Sequence, residues 1–229
     1  MQEINSIQSG IAEVTANIAA ACKRVGRSPE EVTLIAVSKT MPVDAIREAM
    51  ACGMLEFGEN KPQELRDKQA EITEPLHWHM IGSLQTNKLK YVVGKTTLIH
   101  SVDSVRLAKA IDELSEKKHL VTDILLEINI AGEASKHGIA PEEAETLVRE
   151  VAQFSNVRIR GLMTVAPYTE DAEENRVYFK KMKQLMVDIN SKNIDNVYMD
   201  ILSMGMTGDY EVAIEEGSNM VRVGTGIFG

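Results

Sequence analysis

The stretch Thr33-Leu34-Ile35-Ala36-Val37-Ser38-Lys39-Thr40 decides the fold. It is an apolar, β-rich run that closes on a lysine and a threonine, with Met41-Pro42 after it. Such a run predicts a strand buried on both faces. Pro42 stands where a following helix begins, and Asp44 in its first turn suits the helix dipole. Lys39 is therefore expected at the carboxyl end of a central strand, where α/β folds bind ligands. An ammonium emerging from an apolar strand is desolvated, which favours the neutral amine. A neutral amine is what imine formation with an aldehyde requires. The plainer alternative is a strand-end lysine that snorkels to solvent.

Outward from this strand the pattern repeats. Upstream, Ile4, Ile7, Ile11, Val14, Ile18 and Cys22 recur at helical spacing and predict an amphipathic helix over about 4–25, stopped by Gly26. Downstream, strands are predicted over 54–60, 77–84, 98–102, 123–130, 158–164, 198–203 and 220–224. Helical segments over 43–52, 62–72, 87–93, 104–118, 141–154, 170–191 and 210–216 separate them. Eight strands alternating with helices imply parallel pairing, because each return needs a crossover. Eight such units close a (β/α)8 TIM barrel, here with an extra amino-terminal helix. An open doubly wound sheet is the competing architecture, but no glycine-rich dinucleotide fingerprint follows the first strand. No break in composition divides the chain, so one domain over 1–229 is expected.

Composition narrows the partners. The 229 residues carry a formal net charge of -9, which disfavours a nucleic-acid backbone as the main partner. The two cysteines, Cys22 and Cys52, lack CxxC spacing and are expected as small hydrophobes on helix faces in a reducing cytoplasm. No signal peptide is legible at Met1-Gln2-Glu3-Ile4, and no apolar run has membrane-spanning length. His77, His79, His100, His119 and His137 lack metal-ligand spacing with nearby acids, so no metal is expected. In His77-Trp78-His79, strand geometry puts the two histidines on one face and Trp78 on the other. Lys88, Lys90 and Lys95 are better explained as a solvated helix face than as an anion patch.

The strand ends converge on one face of a barrel. The last two loops carry Ser203, Gly205 and Thr207, then Gly224, Thr225 and Gly226. Barrels often bind phosphate between these loops, because glycines admit close backbone amides and hydroxyls add donors. Arg222 lies within the eighth strand, between two valines. A buried cation needs a partner, either a carboxylate such as Asp200 or Glu127 or a ring nitrogen of a ligand. An amine, a phosphate cradle and a cation match the aldehyde, phosphate and pyridine nitrogen of pyridoxal 5'-phosphate (PLP).

The motifs Ala36-Val37-Ser38-Lys39-Thr40, Phe57-Gly58-Glu59-Asn60, His79-Met80-Ile81-Gly82-Ser83-Leu84-Gln85-Thr86-Asn87-Lys88, Gly161-Leu162-Met163 and Ser203-Met204-Gly205-Met206 are together highly specific. With the ending Gly217-Ser218-Asn219-Met220-Val221-Arg222-Val223-Gly224-Thr225-Gly226-Ile227-Phe228-Gly229, they resemble the pyridoxal phosphate homeostasis proteins over essentially the whole chain. The resemblance implies a fold-type III barrel, like the amino-terminal domain of alanine racemase, with PLP held as an imine on Lys39. It implies that Ser203, Gly224 and Thr225, with the Gly205 loop, hold the phosphate and that Arg222 faces the pyridine nitrogen. Asn60, His79 and Met163 are implied to line the pocket. The departures are slight: Thr207 stands where a serine is common, and the carboxyl tail is short.

The resemblance also implies a role in vitamin B6 homeostasis without established turnover, as a monomer that buffers PLP or delivers it to apo PLP-dependent enzymes. No catalytic residue is assigned. The alternative is a PLP-dependent amino-acid racemase on the same barrel. An arginine at the ring nitrogen weakens the electron sink, and racemisation needs a second acid/base on the opposite face. By resemblance that group is a tyrosine from an additional β domain. Only Tyr168 and Tyr210 lie in loops flanking the mouth.

Overall fold

The computed structural model describes residues 6–134 and 137–229. Its strands are β1 (Thr33–Val37), β2 (Glu56–Glu59), β3 (His77–Met80), β4 (Leu98–Val102), β5 (Thr122–Glu127), β6 (Val157–Met163), β7 (Ile201–Met206) and β8 (Met220–Val223). They pair in sequence order, and β1 closes on β8, giving a barrel of parallel strands. That closing pair sets Leu34 beside Val221 and Ile35 beside Arg222, which excludes the open sheet. The helices are α1 (Ile7–Arg24), α2 (Val43–Ala51), α3 (Pro62–Glu71), α4 (Val105–Lys117), α5 (Ala144–Val151), α6 (Arg176–Ser191), α7 (Tyr210–Glu215) and α8 (Thr225–Phe228). Among the described residues, no helix is long and apolar enough to cross a membrane.

The extra helix has a packing reason. Ser6 caps α1 by accepting from the Ser9 amide, and Ile11, Val14, Ile18 and Cys22 form its buried face. Ile4, expected on this face, lies outside the described residues. Because α8 has only four residues, it cannot cover the barrel wall beside β8. Helix α1 packs against α7, α8 and α2 and fills that place in the outer ring. The approach is close: a Cβ on Gly10 would lie 2.7 Å from the Gly226 carbonyl oxygen.

Two apolar layers hold the barrel. Outside the sheet, Phe57 and Trp78 pack with ring centroids 5.8 Å apart under the helices. Burying each such ring stabilises the fold by about 2–3 kcal/mol. Inside, Ile35, Leu98, Leu125, Met163 and Met220 form a compact plug. His79, His100, Ser203 and Arg222 are also buried. The alternation expected in β3 holds, with His77 and His79 both bonded to Glu56 while Trp78 joins the outer layer.

Some boundaries differ from the sequence expectation. Strand β7 begins at Ile201 rather than at Tyr198, which is exposed. The Met199 amide donates to Asn190 Oδ1 instead of joining the ladder. Strand β5 ends at Glu127, and Ile128 forms an isolated bridge with Ile139. The basic segment after β3 is a 3-10 turn at Thr86–Tyr91, and short 3-10 turns precede α5 and α6. Cys52 sits at the end of α2 and is only half-buried, unlike Cys22.

Candidate functional site

The β1 run continues through buried Ser38, and Lys39 follows in an exposed turn. The apolar sheath expected around its ammonium is therefore absent. What the strand provides is a fixed turn. Thr40 adopts φ +65°, and its amide donates to Glu64 Oε1 at 2.5 Å. Behind it, Lys68 Nζ donates to the Ser38 carbonyl and to Glu59 Oε1, both at 2.7 Å, and to Glu64 Oε1 at 3.0 Å. The Ser38 hydroxyl donates to the same Glu59 oxygen at 2.6 Å. Burial pushes the Glu59 carboxyl up, against the hydrogen bonds from Lys68 and Ser38. This buried cluster anchors the Lys39 turn to β2 and α3. Glu59 stood in a quoted motif without a role, and only the i,i+4 spacing of Glu64 and Lys68 hinted at the pair.

On the neighbouring strand β8, which pairs with β1, Arg222 is buried. Its Nη1 donates to Ser203 Oγ at 2.5 Å and its Nη2 to the Thr164 carbonyl at 2.8 Å. Among the described residues no carboxylate forms an ion pair with it, so neither Asp200 nor Glu127 is its direct partner; Asp200 pairs with Arg160. Burial pulls the Arg222 guanidinium down to about 10, partly opposed by Asp209 and Glu127, and it stays charged at neutral pH.

The expected phosphate residues divide into two groups. Ser203 Oγ is fully buried and engaged by Arg222 and by His100 Nδ1 at 3.0 Å. It supports the arginine from within the barrel. The hydroxyl that joins the two loops is that of Thr207, whose Oγ1 accepts from the Gly224 amide at 3.3 Å. Thr225 and Gly226 open α8, where first-turn amides have no intrahelical acceptor. Gly205 takes φ +95°, and a Cβ there would lie 2.6 Å from the Ala213 Cβ, so glycine lets β7 turn tightly under α7.

The remaining implied residues lie at two depths. Asn60 is half-buried just past β2, and the loop after β3 presses on it: a Cβ on Gly82 would lie 2.3 Å from the Asn60 carbonyl oxygen. Met163 and His79 are buried within the barrel. His79 Nδ1 lies 3.0 Å from His100 Nε2, and His79 Nε2 lies 2.7 Å from Glu56 Oε2. At the end of β5, burial and the Asp103 charge push the Glu127 carboxyl up to about 7, opposed by His137 and Arg222. Tyr168 is exposed, and the Tyr210 hydroxyl accepts from Asn17 of α1 at 3.1 Å. No group of three or more metal-ligating side chains gathers among the described residues.

Residues 11–229 match the family described as alanine racemase, N-terminal domain. A pyridoxal phosphate homeostasis protein of Aquifex aeolicus is 43% identical over 220 residues, covering 96% of each chain. This chain belongs to the pyridoxal phosphate homeostasis protein family. The family's Escherichia coli (strain K12) protein is 40% identical over 231 residues, covering 99% of this chain and 97% of that one. A solved structure of PipY from Synechococcus elongatus PCC7942, with PLP bound, is similar at a TM-score of 0.81 and 36% identity, covering 93% of this chain and all 100% of that one. An alanine racemase of Clostridium difficile 630 shares the barrel at a TM-score of 0.73 and 16% identity, covering 99% of this chain and 57% of the racemase. The residues that sequence reasoning left without a role are Glu56, Glu59, Lys68 and His100.

Proposed function

We propose that this chain binds PLP as an imine on Lys39 and buffers or delivers the cofactor in intracellular vitamin B6 homeostasis. The observation that carries this reading is Arg222, a buried cation without a carboxylate partner among the described residues, on the strand beside the one that leads to the Lys39 turn. A ring nitrogen in front of that guanidinium supplies the missing acceptor. Bound PLP brings an aldehyde carbon, an electron-withdrawing ring and a phosphate. Lys39 offers the amine to the aldehyde. The amides of Thr225 and Gly226, with Gly224 and the Thr207 hydroxyl, suit the phosphate through aligned N–H donors at the start of α8. Arg222 donates to the ring nitrogen and keeps its own proton, which limits the ring as an electron sink. Asn60 and Met163 border the ring, the Gly205 turn sets the β7 loop against the phosphate, and His79 acts from below through His100.

Among the described residues, neither tyrosine flanking the mouth is placed as a second acid/base, which supports buffering over turnover. Tyr210 is tied to α1 and Tyr168 stands in solvent. We assign the chain a single domain acting as a monomer in the cytoplasm, with apo PLP-dependent enzymes as recipients. The test runs two assays side by side: reactivation of an apo-enzyme by PLP-loaded protein, and deuterium exchange at the α-carbon of amino acids. Reactivation without exchange is expected. Robust α-proton exchange that is lost in Lys39→Ala would overturn this reading and establish a racemase.

A further inference from the structure

A line of hydrogen bonds runs through the barrel interior and ends on Arg222. From the bottom it passes from Glu56 to His79, then to His100, then to Ser203 and the guanidinium. Its links are 2.7, 3.0, 3.0 and 2.5 Å long. The five side chains of the line, from Arg222 down to Glu56, come from β8, β7, β4, β3 and β2, so no stretch of sequence announces them.

The proton positions follow from the chemistry at the lower end. Burial raises the Glu56 carboxyl, but hydrogen bonds from His79 and His77 outweigh it and hold the group below the usual range. A carboxylate only accepts, so His79 Nε2 donates. With its one proton on Nε2, His79 presents Nδ1 as an acceptor, and His100 Nε2 donates to it. Burial, with the Arg222 charge nearby, holds His100 well below its ordinary value and neutral, so His100 Nδ1 is an acceptor too. The Ser203 hydroxyl therefore donates to His100, which turns an oxygen lone pair toward Arg222 Nη1. Every proton in the line points downward, from guanidinium to carboxylate. Links aligned in this way polarise one another and are stronger than isolated bonds.

We propose that Glu56, His79 and His100 are positioning residues that lock the Ser203 hydroxyl and thereby pin the Arg222 guanidinium in one orientation at the barrel mouth. The Nη1 contact to Ser203 and the Nη2 contact to the Thr164 carbonyl leave the free edge of the guanidinium for a ligand acceptor. The consequence for the ligand rests on the PLP reading above. The line itself is a property of the ligand-free protein and is tested there.

The experiment is nitrogen-15 NMR of histidine-labelled, ligand-free protein. His79 and His100 should each carry the proton on Nε2 and none on Nδ1. In Glu56→Gln the amide can donate as well as accept, so His100, two links from the change, should show both tautomers. A purely structural role for Glu56 would leave the His100 tautomer unchanged. In PLP-loaded protein the same variant should retain the cofactor roughly tenfold less well. A wild-type His100 protonated on Nδ1, or a doubly protonated His79, would overturn the proposal even if the variant fails to fold. So would an unchanged His100 tautomer in a folded Glu56→Gln. A wild type that shows the pattern but takes up no PLP would support the line and overturn the cofactor reading.

Discussion

The Thr207 hydroxyl accepts the Gly224 amide at 3.3 Å, so the loops after β7 and β8 meet at one hydrogen bond. The phosphate reading depends on this contact, because it sets a hydroxyl beside the first-turn amides of α8, which have no intrahelical acceptor. Thr207→Val keeps the volume and removes the hydroxyl. PLP retention should fall about tenfold in an absorbance titration, with stability changed by less than about 1 kcal/mol, and Thr207→Ser should restore it. A larger loss of phosphate affinity in Ser203→Ala than in Thr207→Val would return the phosphate role to Ser203.

The Lys39 turn stands on a buried ion pair. Lys68→Met leaves the Glu59 carboxyl in the interior without its cation, a loss on the order of 3–5 kcal/mol. Urea unfolding should show it. The double variant Glu59→Gln, Lys68→Met should regain much of that loss, since no charge is left buried. Equal destabilisation in the single and double variants would show that packing, and not charge, explains the effect.

Glu127 gives the stability curve a slope. Its carboxyl titrates near 7 in the folded chain, above its unfolded value, so the folded state holds the extra proton between those values. The resulting stabilisation is full below the unfolded value and is lost as pH rises toward 7, on the order of 3 kcal/mol in all. Glu127→Gln should flatten the profile of unfolding free energy between about pH 4.5 and pH 7. The same slope in the variant would assign it to another group.

Gly82 marks the tightest backbone approach at the mouth. Its missing Cβ would lie 2.3 Å from the Asn60 carbonyl oxygen, so Gly82→Ala must push the β2 and β3 loops apart. A cost of about 1–3 kcal/mol is expected, together with weaker PLP retention, measured by thermal unfolding and dialysis. Full retention in a destabilised variant would separate Asn60 from the cofactor.

Much of this architecture was legible in the sequence because it is local. The run at 33–40 places Lys39, and the alternation of strands and helices yields the barrel. What was not legible depends on register between distant strands. Strand β7 runs on to Met206 instead of ending at Ser203, so Ser203 lies mid-strand inside the barrel and Thr207 opens the loop. The pairing of Gly58 with His79 brings Glu56 within reach of that histidine, which no periodicity within one strand reveals. The exposure of Lys39 is a further case, since an apolar strand says nothing about the turn that leaves it.

The most direct measurement is borohydride reduction of PLP-loaded protein followed by peptide mapping. The account predicts a yellow protein whose absorbance band bleaches on reduction, with the pyridoxyl group recovered on Lys39 and lost in Lys39→Ala. Recovery of the adduct on Lys68, Lys88 or any other lysine, or a colourless protein that binds no PLP, would contradict it.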